Sequence, residues 1–534
     1  MPSIFLVNRF DYQFAKSTLG EQILKTEFIT NSADVVNVLV TERMPNIVFV
    51  DNIDMRPDGL SRCHYEADRI ARTFDSNLSE LRTRIFNFPQ SSPGWDYFNT
   101  YFTTISLLRW KRFAPLLVDA MPERETLAFF TLDNTQDFYF DSSLQRHFLT
   151  QAIIEKYRNA QKFSVPHVSP YLPNAMNFSL DFDPSDSAYS EALVHLPTVY
   201  YDYEYHRKRL AGFHGDKLLD LASPYFDIPI AHNRINLRLD NVMPKPASLA
   251  ETIYASEVRR LATDLYGFIC PDAPAFLAQV ERQVARSLSQ IRLFDQLCSA
   301  PKFASIRYLY ICDYDVALSG PLTTWANLRE IPTEVHPHSS FSVNPFPVMK
   351  QGRKHGYARD PDSYTELGNA RSVWAHPLVF ENTPQTCPPL VLLLFNALTD
   401  PGGVPTCQFK TIAQFALAVI KLCASKGVPC KLRSKASWDV SELLANHLRR
   451  EGILDAAIDE VFATGALSDW IAKTTVCIGI DQPSTALAQF ASKGVACIQA
   501  ADREYSEPEL HTLPSRNVRL TDYNGALNKL MAIL

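Results

Sequence analysis

Short apolar runs alternate with longer stretches of helical periodicity, and this alternation is most regular in the last third of the chain. The runs are rich in Val, Ile and Leu, which is typical of strands buried on both faces. The stretches between them repeat apolar residues at helical spacing. Strands are predicted at residues 390–395, 429–435, 460–463, 476–480 and 518–520, and helices at residues 407–426, 441–451, 467–473 and from 523 onward. This repeated order predicts a doubly wound parallel sheet.

The beginning of the chain shows the same alternation. Strands are predicted at residues 4–7, 46–51, 116–119 and 128–132, and helical stretches at residues 14–29 and over most of 54–161. Ligands of open parallel sheets bind beyond the carboxyl ends of the strands. Four polar residues are therefore expected at a possible cleft edge, namely Asn8, Arg9, Asp51 and Asn52. The alternative is that these residues only close strands into loops.

The middle of the chain, residues 164–246, is rich in Pro, Asp and Tyr and has weak periodicity. This composition predicts irregular loops or an inserted subdomain. Residues 200–209 carry carboxylates, aromatic rings and cations, and Asp202 or Glu204 could act as a general base. A solvated helix with internal ion pairs is the alternative interpretation. Residues 249–296 are amphipathic and predict a pair of packed helices.

A strand–helix–strand unit is predicted at residues 305–341, and its two strand ends carry Asp313, Asp315, His336 and His338. Both ends should open on the same edge of a parallel sheet. A histidine and a carboxylate at one edge could activate a hydroxyl, although each histidine could equally make a structural hydrogen bond. The tripeptide from Asp313 to Asp315 has the Asp-x-Asp spelling of some metal sites. Such tripeptides are common by chance, and no metal site is predicted.

The most informative stretch, residues 475–498, predicts a strand, a sharp turn, a helix and a second strand. Pro483 suits the first helical position, which places Ser484 and Thr485 in the first turn beside backbone N–H groups without helical partners. Such a helix start binds anions, although an ordinary capped helix fits the same residues. Right-handed crossovers place further candidate phosphate ligands along the same edge, namely Asn396, Arg433, Lys435 and Gln482.

Composition narrows the classes of function. A chain of 534 residues is too long for one compact core, and two domains are predicted, at residues 1–375 and 376–534. A net charge of -6 argues against nucleic acid as a partner. The ten cysteines show no Cys-x-x-Cys spacing and no apolar run reaches about 18 residues, so a cytoplasmic protein is expected, at most peripheral to the inner face of a membrane. Neither a Gly-x-Gly-x-x-Gly nor a Walker motif occurs, and no cofactor is predicted.

Residues 480–494 resemble the donor-site turn and helix of bacterial capsule and O-antigen glycosyltransferases, in which a Ser/Thr pair follows the strand. Those enzymes belong to the GT-B class, whose two Rossmann-like domains face a cleft. Residues 494–498 depart from the family pattern by placing Ala496 where Pro is usual, and residues 431–435 lack the family's His-Pro. The resemblance implies an α/β fold of two Rossmann-like domains, with helical or irregular insertions in the N-terminal one.

The resemblance further implies transfer of a sugar from a CMP-, UDP- or GDP-linked donor to a glycan or lipid-linked glycan acceptor in surface-polysaccharide synthesis. Ser484, Thr485 and the nearby cations would hold the donor phosphates without a metal ion. His338 or Asp313 would deprotonate the acceptor hydroxyl, whereas a retaining mechanism would use a carboxylate such as Asp202 as nucleophile. Two rival classes stay open: a sugar-nucleotide epimerase or hydrolase of the same fold, and a non-catalytic partner protein.

Overall fold

The chain folds into three β-sheets that follow one another in sequence, here named sheets A, B and C. Parallel pairs dominate all three, which confirms the prediction of an α/β protein. The structure, a computed structural model, describes residues 2–53, 62–86, 96–133, 146–166, 177–182, 190–196, 203–213, 217–222, 230–240, 243–271, 274–312, 318–336, 365–366, 372–374, 388–395, 398, 404–405, 407–435, 438–481, 484–501 and 518–534.

Sheet A is fully parallel, in the order β3-β2-β1-β4-β5, so the direction of winding reverses between β1 and β4. Its strands are β1 (Ser3–Leu6), β2 (Glu27–Thr30), β3 (Ile47–Phe49), β4 (Thr126–Asp133) and β5 (Asn159–Pro166). Its helices are α1 (Arg9–Leu19), α2 (Ala33–Thr41), α3 (Arg62–Phe86), α4 (Asp96–Ala120) and α5 (His147–Lys156), and a 3-10 helix spans Gly20–Lys25.

The strand predicted at residues 116–119 is wrong, because these residues lie in α4. The apolar run there belongs to a helical stripe. Trp110, Phe113 and Leu117 are buried, and their spacing of three and four residues places them on one face of a helix. The strand predicted at residues 128–132 is confirmed as part of β4.

Sheet B has eight strands in the order β12-β13-β11-β10-β7-β8-β9-β6, parallel except at its two outer pairs. The strands are β6 (Asn177–Asp181), β7 (Ala192–His195), β8 (Leu218–Ala222), β9 (Asn233–Asp240), β10 (Tyr308–Cys312), β11 (Thr333–His336), β12 (Thr365–Glu366) and β13 (Ser372–Trp374). Its helices are α6 (Tyr203–Leu210), α7 (Leu249–Ile269), α8 (Pro274–Ser299), α9 (Pro301–Ala304) and α10 (Ser319–Leu328).

Sheet B changes the predicted domain plan. Residues 164–246, predicted to form irregular loops or an inserted subdomain, contribute β6 to β9, and polar segments that dominate the composition separate these strands. Residues 1–375, expected to hold one Rossmann-like sheet with insertions, therefore hold two sheets. The unit predicted at residues 305–341 is confirmed in its described part, because β10, α10 and β11 follow in order and the two strands pair in parallel.

Four helices, α3, α4, α7 and α8, contribute to the large hydrophobic core that also covers sheet B. A buried polar network joins all four. The Asp96 carboxylate accepts hydrogen bonds from Arg82 at 2.5 Å, Tyr254 at 2.6 Å and Ser287 at 2.7 Å. Since burying a carboxylate is costly unless its oxygens are paired, this network fixes how the helices pack.

Sheet C is parallel throughout, in the order β15-β14-β16-β17-β18, which confirms the predicted doubly wound sheet. Its strands are β14 (Val391–Phe395), β15 (Cys430–Ser434), β16 (Val476–Ile480), β17 (Ala496–Ala500) and β18 (Val518–Thr521). Its helices are α11 (Phe409–Ser425), α12 (Ser441–Arg450), α13 (Asp455–Val461), α14 (Leu467–Ile471), α15 (Thr485–Ser492) and α16 (Tyr523–Ile533).

One predicted strand of this region, at residues 460–463, is wrong. Helix α13 extends to Val461, and only an isolated bridge joins Phe462 to Leu432 of β15. Among the described residues, no helix combines the length and the apolar character needed to cross a membrane.

Candidate functional site

The central strands of sheet C end in register with one another at the carboxyl edge. Phe395, which ends β14, is aligned with Ser434 of β15 and with Ile480 of β16. The direction of winding reverses between β14 and β16, and doubly wound sheets bind ligands outside the strand ends at such a reversal. Lys435 follows β15 at this edge. Asn396 and Gln482, which follow β14 and β16 in the chain, lie outside the described residues.

Helix α15 starts at this reversal. Ser484 is its N-cap, and the Ser484 Oγ accepts a hydrogen bond from the Leu487 N–H at 3.2 Å. The helix begins at Thr485, and Pro483, predicted at the first helical position, lies outside the described residues. A serine with extended backbone suits the N-cap because its oxygen satisfies an N–H group of the first turn. Ser484 is half-buried, and among the described residues its O–H has no acceptor, so it can donate to an anion beside the first-turn N–H groups.

Asp481, which sequence reasoning missed, makes the sharp turn between β16 and α15. It is buried and has a φ of 65°, a left-handed conformation that is uncommon outside glycine. The Asp481 N–H donates to the carbonyl of Ala500, and the Asp481 carbonyl accepts from Gln499 Nε2 at 2.6 Å. Both contacts tie the turn to β17. The sequence signal that could have indicated this turn is an acidic residue directly after an apolar strand.

Gly479 brings α15 close to the sheet. A Cβ atom at this position would lie 2.8 Å from Leu487 Cδ2 of α15 and 2.9 Å from Gln499 Oε1. Both distances are shorter than real Cβ contacts, so only glycine accommodates the helix at this separation without a shift of its neighbours.

The two predicted cations of β15 differ in their surroundings. Arg433 Nη2 donates to the Gly465 carbonyl at 2.9 Å, in the connection between α13 and α14. Lys435 is exposed at the carboxyl edge, and partial desolvation lowers the pKa of its ammonium group. Because β14 lies between β15 and β16, both cations are about 10 Å, two strand spacings, from the strand that leads to Ser484. A ligand would have to span β14 to reach Lys435 and Ser484 together.

The carboxyl edge of sheet A contacts the helices that follow the strands of sheet C. Asp51, just after β3, accepts from the backbone N–H groups of Phe409 at 2.8 Å and Lys410 at 2.7 Å, and so caps α11. Desolvation raises the pKa of Asp51 to about 6, although these two hydrogen bonds act in the opposite direction. Asp51 was predicted at a cleft edge. In the structure its carboxylate joins the end of β3 in sheet A to the start of α11 beside sheet C.

A second set of contacts joins the same two edges at the start of α12. The Leu443 N–H donates to Asn37 Oδ1 at 2.9 Å, and Arg9 Nη2 approaches the Asp439 carbonyl at 3.5 Å. Arg9 Nε also pairs with Asp34 at 3.0 Å. Since α11 and α12 start at the carboxyl edge of sheet C, the carboxyl edges of sheets A and C are in contact at these residues.

The reversal point of sheet A contains a buried ion pair that sequence reasoning missed. Arg146 Nη1 donates to Asp11 Oδ1 at 3.0 Å and to the Phe130 carbonyl at 3.1 Å, and the other Asp11 oxygen accepts from the Val7 N–H at 2.8 Å. Asn8 caps α1 by accepting from the N–H groups of Phe10 and Asp11. The pair joins β4 to the turn after β1, and a separation of 135 residues hides it in the sequence.

The three predicted catalytic residues, His338, Asp313 and Asp202, lie outside the described residues. In the chain, Asp313 directly follows β10, and His338 follows the end of β11 by two residues. These two strands are neighbours in sheet B, not in sheet A. The reversal of sheet B lies between β7 and β10, where the buried His195 places its Nδ1 atom 3.2 Å from the Leu221 carbonyl.

Comparison with known proteins adds no family. The sequence matches no protein-family model and no curated protein. The functional conclusion therefore rests on the residues and their geometry.

Proposed function

We propose that the protein is a metal-independent glycosyltransferase of GT-B type, which moves a sugar from a nucleotide-sugar donor to a glycan or lipid-linked glycan acceptor in surface-polysaccharide synthesis. The observation that supports the proposal is the contact between the carboxyl edges of two parallel sheets, A and C, through Asp51 and Arg9. Such edges are where open α/β sheets bind ligands, and two of them together enclose a site that water can be excluded from.

In this proposal the diphosphate of the donor lies at the start of α15. The first-turn N–H groups and the Ser484 hydroxyl would donate to phosphate oxygens, and Lys435 would supply a positive charge across β14. As the bond between sugar and phosphate breaks, negative charge grows on the leaving nucleotide. Donors fixed in place before the reaction stabilise that charge without reorganisation. The cations and the helix dipole would thus stabilise the negative charge of the leaving nucleotide, as a metal ion does in other transferases.

The acceptor hydroxyl needs a base, for which His338 and Asp313 stay the predicted candidates. The structure adds that both follow strands of sheet B. The proposal therefore requires sheet B to contribute to the acceptor side of the site. A retaining reaction, with Asp202 as nucleophile, would draw on the same sheet, because Asp202 directly precedes α6.

A thermal-shift screen with CMP, UDP, GDP and their common sugar conjugates tests the donor site. Binding to the folded state raises the melting temperature in proportion to the logarithm of ligand concentration, so one nucleotide series should give a concentration-dependent increase. Absence of a shift with every nucleotide would contradict the proposal. Turnover of the donor in the absence of acceptor would instead favour an epimerase or hydrolase, and binding without turnover would favour a non-catalytic partner.

A further inference from the structure

A pocket of about 510 Å³ lies where the flank of sheet A meets sheet C. Its walls come from α2 and β3 on one side and from the start of α11 and one face of α12, as far as its last residue, on the other. It lies beside β3, the edge strand of sheet A, and α12 follows β15, the edge strand of sheet C. This pocket is therefore separate from the nucleotide site, which is proposed between β14 and β16. The volume lies in the range of small-molecule sites.

One part of the pocket is apolar. Val36 and Val40 of α2, Phe49 of β3, Phe409 of α11 and Leu443 of α12 line it. Phe49 and Phe409 pack against one another with ring centroids 6.0 Å apart. An aliphatic or aromatic group placed here would leave water for an apolar surface, which favours binding.

The other part carries positive charge. Lys410 and Arg450 line the pocket, and both are exposed residues. Within the described part of the chain, the Arg450 guanidinium has no hydrogen-bond or ion-pair partner, and His447 Nε2 is buried with none. The acid of the pocket, Asp51, already accepts two backbone hydrogen bonds from the start of α11. An incoming anion would thus find donors that are not yet used.

The neighbouring arginine shows that the position of Arg450 matters. Arg449, on the same helix, donates to Asp455 at 2.8 Å and to Glu442 at 3.2 Å, and it does not line the pocket. Two adjacent arginines therefore have opposite surroundings: one is neutralised by carboxylates at the surface, and the other lies at the pocket mouth.

We infer that this pocket binds a small amphipathic anion, a phosphate monoester or a carboxylate attached to an aliphatic or aromatic group. The apolar group lies between α2, β3 and Phe409, and the anionic group lies at Arg450, Lys410 and His447. The ligand contacts both sides of the junction between sheets A and C, so its binding stabilises that junction. This inference does not depend on the proposed transferase activity.

Calorimetric titration of the full chain tests the inference with octyl phosphate and octanoate as probes. Octyl glucoside is the uncharged control, and inorganic phosphate is the control without an apolar group. At least one anionic probe should bind about tenfold more tightly than either control, because both the charge and the apolar group contribute. Equal binding of octyl glucoside and both anionic probes would overturn the inference, as would no binding of either probe.

Two substitutions locate the site. Arg450→Ala should weaken the binding of the anionic probe about tenfold, whereas Arg449→Ala, the matched control on the same helix, should leave it unchanged. Val40→Trp should abolish binding by filling the apolar part. If Val40→Trp lowers the melting temperature of the free protein, the comparison of the two arginines decides alone. Equal effects of Arg449→Ala and Arg450→Ala would place the probe elsewhere and contradict the inference.

Discussion

Sheets A and C share a parallel, doubly wound topology, but the polar residues at their carboxyl edges make different hydrogen bonds. At the edge of sheet A, Asn8, Asp11 and Asp51 all accept hydrogen bonds from backbone N–H groups. At the edge of sheet C, Lys435 has no side-chain partner among the described residues, and Ser484 uses only one acceptor position. The polar residues of the first edge stabilise the fold, and under the proposed function the donors of the second edge bind the ligand.

The largest effect is expected at the edge of sheet A. Asp11→Ala would leave Arg146 buried without its carboxylate, and breaking a buried pair in this way costs about 3–5 kcal/mol of stability. Asp264→Ala is the matched control, because Asp264 pairs with Arg260 at the surface, where such a pair is worth about 1 kcal/mol or less. Urea denaturation measures both. A loss for Asp11→Ala as small as that of the control would show that Arg146 is not held by this pair.

The stability of the folded protein should depend on pH through Asp51, which lies at the junction between sheets A and C. Its pKa is raised from 3.8 to about 6 in the folded protein, so the folded state binds the proton more tightly than the unfolded chain does. Its contribution is therefore fully present below pH 3.8 and is lost as the pH rises through about 6. Relative to Asp51→Asn, the wild type should lose about 2–3 kcal/mol of stability over this interval.

Melting temperatures of wild type and Asp51→Asn at several pH values between about 4 and 7.5 measure most of this change. As pH rises, the melting temperature of wild type should fall relative to that of Asp51→Asn. A difference that stays constant over this range would mean that Asp51 titrates as an ordinary carboxyl group and that its burial at the junction has been overestimated.

The smallest effect on stability is expected at the edge of sheet C. Ser484→Ala removes one helix cap, which costs about 1 kcal/mol. Ser248→Ala is matched to it, since Ser248 caps α7 by accepting from the Glu251 N–H at 3.1 Å, far from the carboxyl edges of sheets A and C in the chain. Thermal denaturation should show similar losses for both variants. A loss several times larger for Ser484→Ala would mean that this serine is mainly structural and would remove the contrast between the two edges.

The sequence predicts sheet C well because its central strands, β14 and β16, are continuous apolar runs and each is followed by a helical stripe. Strands β6 to β9 of sheet B were missed although they are as long as the strands of sheet C, because the loops between them dominate the composition of residues 164–246, whereas β10 and β11 were predicted. In α4 the apolar run at residues 116–119 looked like a strand, because the helical stripe that includes it starts further back. Local pattern decides such assignments only where one periodicity is uninterrupted.

The candidate site was predictable only where it depends on local structure. A serine shortly after an apolar strand indicates a helix start, and Ser484 follows the turn after β16 in this way. The partners of Asp51 and Arg146 lie 358 and 135 residues away, so pattern cannot identify them. Arg433 and Lys435 appear equivalent in the sequence, yet only the fold shows that Arg433 is engaged with Gly465.

The central claim is that the start of α15 holds the phosphates of a nucleotide-sugar. The most direct measurement is the dissociation constant of the best nucleotide from the thermal-shift screen, by calorimetric titration of wild type, Ser484→Ala and Ser248→Ala. Binding should be about tenfold weaker in Ser484→Ala, because a hydroxyl donor to a charged phosphate is lost, and unchanged in Ser248→Ala. Equal affinities in all three proteins would contradict the central claim.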